Sequence, residues 1–182
     1  LPLPMQSGSD KILKAMKRGY TKELYLERVA MLREAVPDIE LGSDWIVGFP
    51  GETEEDFEQS VQGLKEVGFL TNYVFKYDPR PETRSAEGMI DDIPDSVKKE
   101  RNQRLLAASE EVSLGRLKAL IGSNVTVLAE EVSERVEGNL VGKTRGGVSV
   151  HFGGGAELIG SEISVNVERA TAYGLGGSLL ET

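Results

Sequence analysis

Along the chain, nearly continuous apolar runs alternate with stretches whose apolar side chains recur three or four positions apart, and each change of period marks an element. Leu1 to Met5 is a short apolar run containing Pro2 and Pro4, which suits an edge strand because proline cannot donate to a ladder. The polar turn Gln6-Ser7-Gly8-Ser9-Asp10 precedes Ile12, Leu13 and Met16, so Ser9 or Asp10 is expected to cap a short helix ending at Lys17-Arg18-Gly19. Thr21 is expected to cap a second helix, with Tyr25, Val29, Leu32 and Val36 on one face and Pro37 as its stop. Leu41 to Phe49 reads as a strand covered on both faces, broken by the bend Gly48-Phe49-Pro50-Gly51. Thr53 with Asp56 three residues later predicts a capping box, and the helix behind it carries Phe57, Val61, Leu64 and Val67 up to Gly68, a residue suited to a left-handed cap. Asn72 to Tyr77 predicts another strand, and the loop from Pro79 to Asp92 shows no regular period.

Strands alternating with helices of this length predict parallel βαβ units, in which ligands sit beyond the C-terminal ends of the strands. The turns at 6–10, 48–52 and 78–83 all fall at such ends. Pro94 is placed to open a long helix with a narrow apolar stripe of Val97, Leu105, Ala108, Val112, Leu117 and Leu120, running to Gly122. Beyond Gly122 the period switches to alternation at Val125 and Val127, Leu140, Val148 to Phe152, and Ile163 to Val167, with glycine-rich turns between. About five short strands in some sixty residues predict a small antiparallel β-barrel. The expected class is α/β: a partial (β/α) barrel fragment of three strands over residues 1–94, a bracing helix over 95–122 and a small barrel over 123–182.

Composition narrows the chemistry. The 182 residues include no cysteine, which removes disulfides, thiolate nucleophiles and cysteine-held zinc or iron–sulfur clusters from what this chain supplies itself. No apolar run reaches membrane-spanning length and no basic-then-apolar leader opens the chain, so a cytoplasmic location is expected. The net charge of −9 is unlike that of a general nucleic-acid coat. Residues 123–182 hold Arg135, Lys143, Arg145 and Arg169 against eight glutamates, so RNA contact there has to be local.

At Gln6-Ser7-Gly8-Ser9-Asp10, Met16-Lys17-Arg18, Gly48 to Phe57 and Tyr77-Asp78-Pro79-Arg80-Pro81, the chain resembles the radical S-adenosylmethionine methylthiotransferases, most of all the branch that modifies a tRNA adenosine next to the anticodon. The residues after Gly122 resemble the RNA-associated TRAM domain, which is OB-like. The resemblance implies S-adenosylmethionine as cofactor and two 4Fe-4S clusters in the intact enzyme. It implies cleavage to a 5′-deoxyadenosyl radical that abstracts hydrogen from C2 of an isopentenylated adenosine, with sulfur and a methyl group then inserted. The missing N-terminal half of the enzyme would hold the cluster cysteines, so this chain alone is expected to be inactive. Open barrel edges are expected to be covered by that half or by self-association.

Carried onto matching positions, the resemblance implies cofactor contact by Gln6, Ser7, Arg18, Gly48, Phe49, Pro50 and Gly51, and tRNA contact by Arg80, Lys143 and Arg145. It implies no catalytic residue and no metal ligand in this chain. Glycines let a backbone approach a flat ring, although Gly48 to Glu52 equally fits a plain strand-to-helix turn. Arg18 offers a two-point fork to a carboxylate, or a solvated helix end. Glu54, Glu55 and Asp56 read as helix-start carboxylates, Asp44 as a strand carboxylate needing a partner, and His151 as a barrel-wall residue. Where the family pattern is Ser-Pro-Arg-Pro-Gly-Thr, this chain has Asp78 for the serine and Glu82 for the glycine. Two other readings are an enzyme that methylthiolates an aspartate of a ribosomal protein, against which Pro79-Arg80-Pro81 speaks, and a non-catalytic RNA-binding fragment.

Overall fold

The computed structural model describes residues 1–81, 84–134 and 136–180; Glu82, Thr83, Arg135, Glu181 and Thr182 lie outside the described residues. The chain forms two compact units, Leu1–Ser109 and Glu110–Thr182, which divide within a long helix.

The first unit holds α1 (Asp10–Ala15), α2 (Lys22–Ala35), β1 (Gly42–Val47), α3 (Glu54–Val67), β2 (Thr71–Lys76), α4 (Arg84–Gly88) and most of α5 (Asp95–Lys118). β1 and β2 are parallel, with Gly42 opposite Thr71 and Val47 opposite Lys76. On the far side of β1 the opening segment makes only two parallel bridges, Pro2 to Gly42 and Gln6 to Trp45. The expected three-strand ladder is therefore two strands and a partly paired edge, because Pro2 and Pro4 bring no N–H.

The helix ends follow the sequence closely. Ser9 caps α1, and Thr21 caps α2 by accepting from the Leu24 N–H. Thr53 and Asp56 form the full capping box of α3, which stops at Gly68 in the left-handed conformation. α4 falls in the stretch expected to lack regular structure; at five residues it is too short for a periodicity to register. Phe57 and Leu64 of α3 are buried, as are Trp45, Phe69, Met5 and Leu105, each such side chain contributing about 1.5–3 kcal/mol. Gly8 sits so close to α3 that a Cβ there would lie 2.1 Å from the Gln59 carbonyl oxygen, which fixes the 6–10 turn on that helix.

The second unit is a closed barrel of β3 (Asn124–Val132), β4 (Asn139–Thr144), β5 (Ser149–Gly153), β6 (Glu162–Thr171) and β7 (Gly174–Leu179), in the order β3-β4-β5-β7-β6. Val127, Leu140, Val150, Phe152, Val165 and Val167 fill it, as the alternation predicted. One pair departs from the antiparallel expectation: β5 and β7 run parallel. Five strands in a closed ring cannot alternate direction all the way round, so one parallel neighbour is obligatory.

Candidate functional site

The turn after β1 is held from three sides. Gly48 has φ +72, and a Cβ on it would lie 2.3 Å from Lys98 Cγ, so both its conformation and the α5 side chain beside it require glycine. Glu52 closes the turn with its carboxylate fully out of solvent. Its Oε2 accepts from the Gly48 N–H at 2.7 Å and from Arg101 Nη1 at 2.9 Å. Arg101, also buried, donates to the Glu52 carbonyl at 3.0 Å and to Glu54 at 3.3 Å, and lies 5.7 Å from the Phe57 ring centre. Burial pushes the Glu52 carboxyl above the ordinary range, against the pull of the Gly48 amide and the guanidinium. Glu52 Oε1 and Arg101 Nε have no protein partner among the described residues.

Lys98, one turn earlier on α5, donates to Asp91 at 2.6 Å and to the Tyr77 carbonyl at 3.3 Å. The expectation for α5 was an apolar stripe and a brace, which missed these two buried cations. A signal was present: Lys98, Arg101, Leu105 and Ala108 keep helical spacing, so the cations continue the buried face that Leu105 and Ala108 mark.

Asp56 does more than close its capping box. It accepts from Ser9 Oγ at 2.7 Å and from Lys11 Nζ at 2.6 Å, joining the starts of α1 and α3. Burial alone would raise its pKa; the hydrogen bonds from Lys11, Thr53 and Ser9 outweigh it and hold the carboxyl well below the usual range.

Between α1, the C-terminal ends of β1 and β2 and the α4 segment lies a cavity of about 1260 Å³. Of the residues expected to bind ligands, Gln6, Arg18, Phe49 and Arg80 all line it, and Asp44 joins them. Ile12, Phe49 and Tyr77 pack as an apolar cluster with Met16 and Ile46, the Phe49 and Tyr77 rings meeting edge-on at 5.0 Å. Gln6 has φ 69 and is 8% exposed. Asp44 is half-buried on the cavity wall, which accounts for a carboxylate in that strand.

The other expected residues stand elsewhere. Ser7 is fully buried, its hydroxyl 3.4 Å from that of Ser60 and accepting from the Ser9 N–H. Gly48 packs on Lys98, Pro50 is buried, and Gly51 donates to Asp92 at 2.8 Å while its carbonyl accepts from Lys11. In the second unit Lys143 pairs with Glu130 at 3.1 Å, Arg145 is exposed in the turn after β4, and His151 is half-buried on β5. No group of three metal-ligating side chains occurs among the described residues, and no helix there is long and apolar enough to cross a membrane.

Residues 1–64, which carry the 6–10 turn, α1 and the Gly48–Glu52 turn, match the family model of the radical SAM superfamily. The chain is 45% identical over 178 residues to the tRNA-2-methylthio-N(6)-dimethylallyladenosine synthase of Endomicrobium trichonymphae, covering 98% of this chain and 42% of that protein. It is 44% identical over 168 residues to the synthase of the same name from Bdellovibrio bacteriovorus, covering 92% of this chain and 37% of the relative. With that of Acetivibrio thermocellus the identity is 44% over 180 residues, 99% and 37% of the two chains. The chain therefore belongs to the radical S-adenosylmethionine methylthiotransferase family, and it spans about two fifths of the length of these curated relatives. S-adenosylmethionine and iron–sulfur chemistry characterise the superfamily; the 182 residues offer no thiolate to a cluster.

Proposed function

We propose that this chain forms the cofactor-facing and RNA-facing part of a cytoplasmic tRNA methylthiotransferase that adds a methylthio group to C2 of an isopentenylated adenosine next to the anticodon. The observation that carries the reading is the 39–45% identity, over more than nine tenths of the chain, to relatives that share one synthase name. The cavity supports it. An amide at Gln6, a guanidinium at Arg18 and the apolar wall of Phe49 and Ile46 suit a ligand with ribose, carboxylate and flat-ring parts. Gly48, Pro50 and Gly51 act behind Phe49, with Lys98 and Glu52–Arg101 setting the turn that presents it.

S-adenosylmethionine bound beside a reduced 4Fe-4S cluster supplies one-electron cleavage of a carbon–sulfur bond. The residues of this chain bind and orient the cofactor. A cluster, and the second one that the family implies, takes its ligands from outside these 182 residues. Ser7 supports the cavity through Ser60 and Ser9. In the barrel, which we assign as TRAM-like, Lys143 and Arg145 with Arg80 of the first unit meet tRNA phosphates.

Two measurements test the reading. Deleting the gene is expected to remove the methylthio group from cellular tRNA, as read by mass spectrometry of its nucleosides, and the intact gene restores it; retention of the group overturns the proposal. Calorimetric titration of the chain with S-adenosylmethionine is expected to show one-to-one binding that Gln6→Ala and Arg18→Ala each weaken.

A further inference from the structure

Among the described residues only two non-glycine positions have positive φ, Gln6 at 69° and Lys17 at 58°, and both line the same cavity. Lys17 follows the last turn of α1. The Arg18 N–H bonds the Leu13 carbonyl at 2.9 Å and the Lys17 N–H bonds that of Lys14 at 3.0 Å, the paired closure in which glycine normally takes the left-handed place. A lysine there is strained, because its Cβ crowds the carbonyl that follows. The helix dipole does not call for it, since Lys14 and Arg18 already bring positive charge to that end. Strain held in this way belongs at a site that uses it.

Charge points the same way. Lys17 and Arg18 are exposed, and neither has a carboxylate within ion-pairing distance among the described residues, whereas the cavity cation Lys76 is held by Asp95 at 2.7 Å. The cavity, at about 1260 Å³, exceeds the roughly 300–1,000 Å³ that suffices for one small ligand. It has room for a nucleoside beside a cofactor. A base drawn out of an RNA loop leaves its phosphates hydrated at the mouth, where unpaired cations compensate them.

We propose that Lys17 is a phosphate contact for the RNA strand whose target nucleotide enters this cavity, its left-handed backbone holding the ammonium at the rim. The inference rests on the tRNA reading above. The test is fluorescence anisotropy of a labelled RNA hairpin with an adenosine-containing loop, titrated with the full 182-residue chain across a salt series. Lys17→Gly is expected to weaken binding about three- to tenfold and to flatten the slope of log K against log salt by about 0.7, while raising the urea midpoint because the strain is gone. Lys17→Arg is expected to keep both affinity and slope. A Lys17→Gly chain that is more stable but binds RNA with unchanged affinity and slope overturns the contact and leaves the tRNA reading standing. A wild-type chain that does not bind the hairpin overturns both. Loss of S-adenosylmethionine affinity in Lys17→Gly with RNA affinity intact also overturns it, by assigning the ammonium to the cofactor.

Discussion

Replacing Arg101 with Met keeps most of the side-chain bulk over Phe57 but strips two hydrogen bonds from the Gly48–Glu52 turn and a third from Glu54. The Glu52 carboxylate, fully buried, is left with the Gly48 N–H as its only donor, and the Glu52 carbonyl loses its guanidinium partner. Breaking a buried ion pair from one side costs about 3–5 kcal/mol, because the remaining charge stays desolvated. Against a typical total of about 5–15 kcal/mol, this brings the first unit near its unfolding threshold. With a urea dependence of about 1.5 kcal/mol per molar, the midpoint is expected to fall by roughly 2–3 M. Trp45, the single tryptophan and fully buried in the first unit, reports that transition by its fluorescence. The variant also acquires a pH signature. Burial already raises the folded-state pKa of Glu52, and removing the opposing guanidinium raises it further, so the folded state binds a proton more tightly than the unfolded chain. Stability of Arg101→Met is therefore expected to fall as pH rises through the window above the ordinary carboxyl range, and to recover towards acid pH. Glu52→Gln added to Arg101→Met is expected to restore most of the loss at neutral pH. A single variant costing under about 1 kcal/mol, or a double variant that is merely additive, refutes the claim that the two side chains act as one buried pair.

Gly48→Ala is expected to cost about 1–2 kcal/mol for the left-handed backbone and more for the close approach of Lys98, measured by the same Trp45 transition; Gly51→Ala meets no neighbouring atom and should lose only the backbone part. Asp56→Asn is expected to lower stability by about 1 kcal/mol at neutral pH through the weakened cap. It should also flatten the acid limb of the stability profile. The folded pKa of Asp56 is depressed, so its contribution is present above the unfolded carboxyl range and lost as pH falls below it; an unchanged acid limb refutes the role of Lys11 and Ser9.

What could be read without the structure was whatever short-range chemistry decides. Thr21, Thr53 with Asp56, and Gly68 act within four residues of themselves, and each stands where the sequence put it. The barrel was legible from alternation, which tells a strand's inner face from its outer face but says nothing about its neighbours; the parallel β5–β7 pair follows from closure, a property of the ring. Lys98 and Arg101 were hidden because charge in a helix is normally solvated; Arg101 finds its buried partner in Glu52, about fifty residues away, and Lys98 its partners in Asp91 and the Tyr77 carbonyl. The left-handed backbones of Gln6 and Lys17 were hidden because neither residue type advertises that conformation; Gln6 is bonded on both sides to the distant backbone of Asp44 and Ile46, and Lys17 stands in the closing turn of α1. Gln6, Arg18 and Phe49 were expected at one cofactor through the family resemblance, whereas Arg80, expected at tRNA, lines the same cavity.

The ring order of the barrel bears on how the protein is made. β7, the last described strand to leave the ribosome, inserts between β5 and β6, which are not otherwise neighbours. Until Gly174–Leu179 has emerged, the four earlier strands form an open sheet with two bare edges. A nascent chain stalled near Tyr173 therefore carries a second unit ready to pair with strangers, a species that proteolytic quality control has reason to recognise.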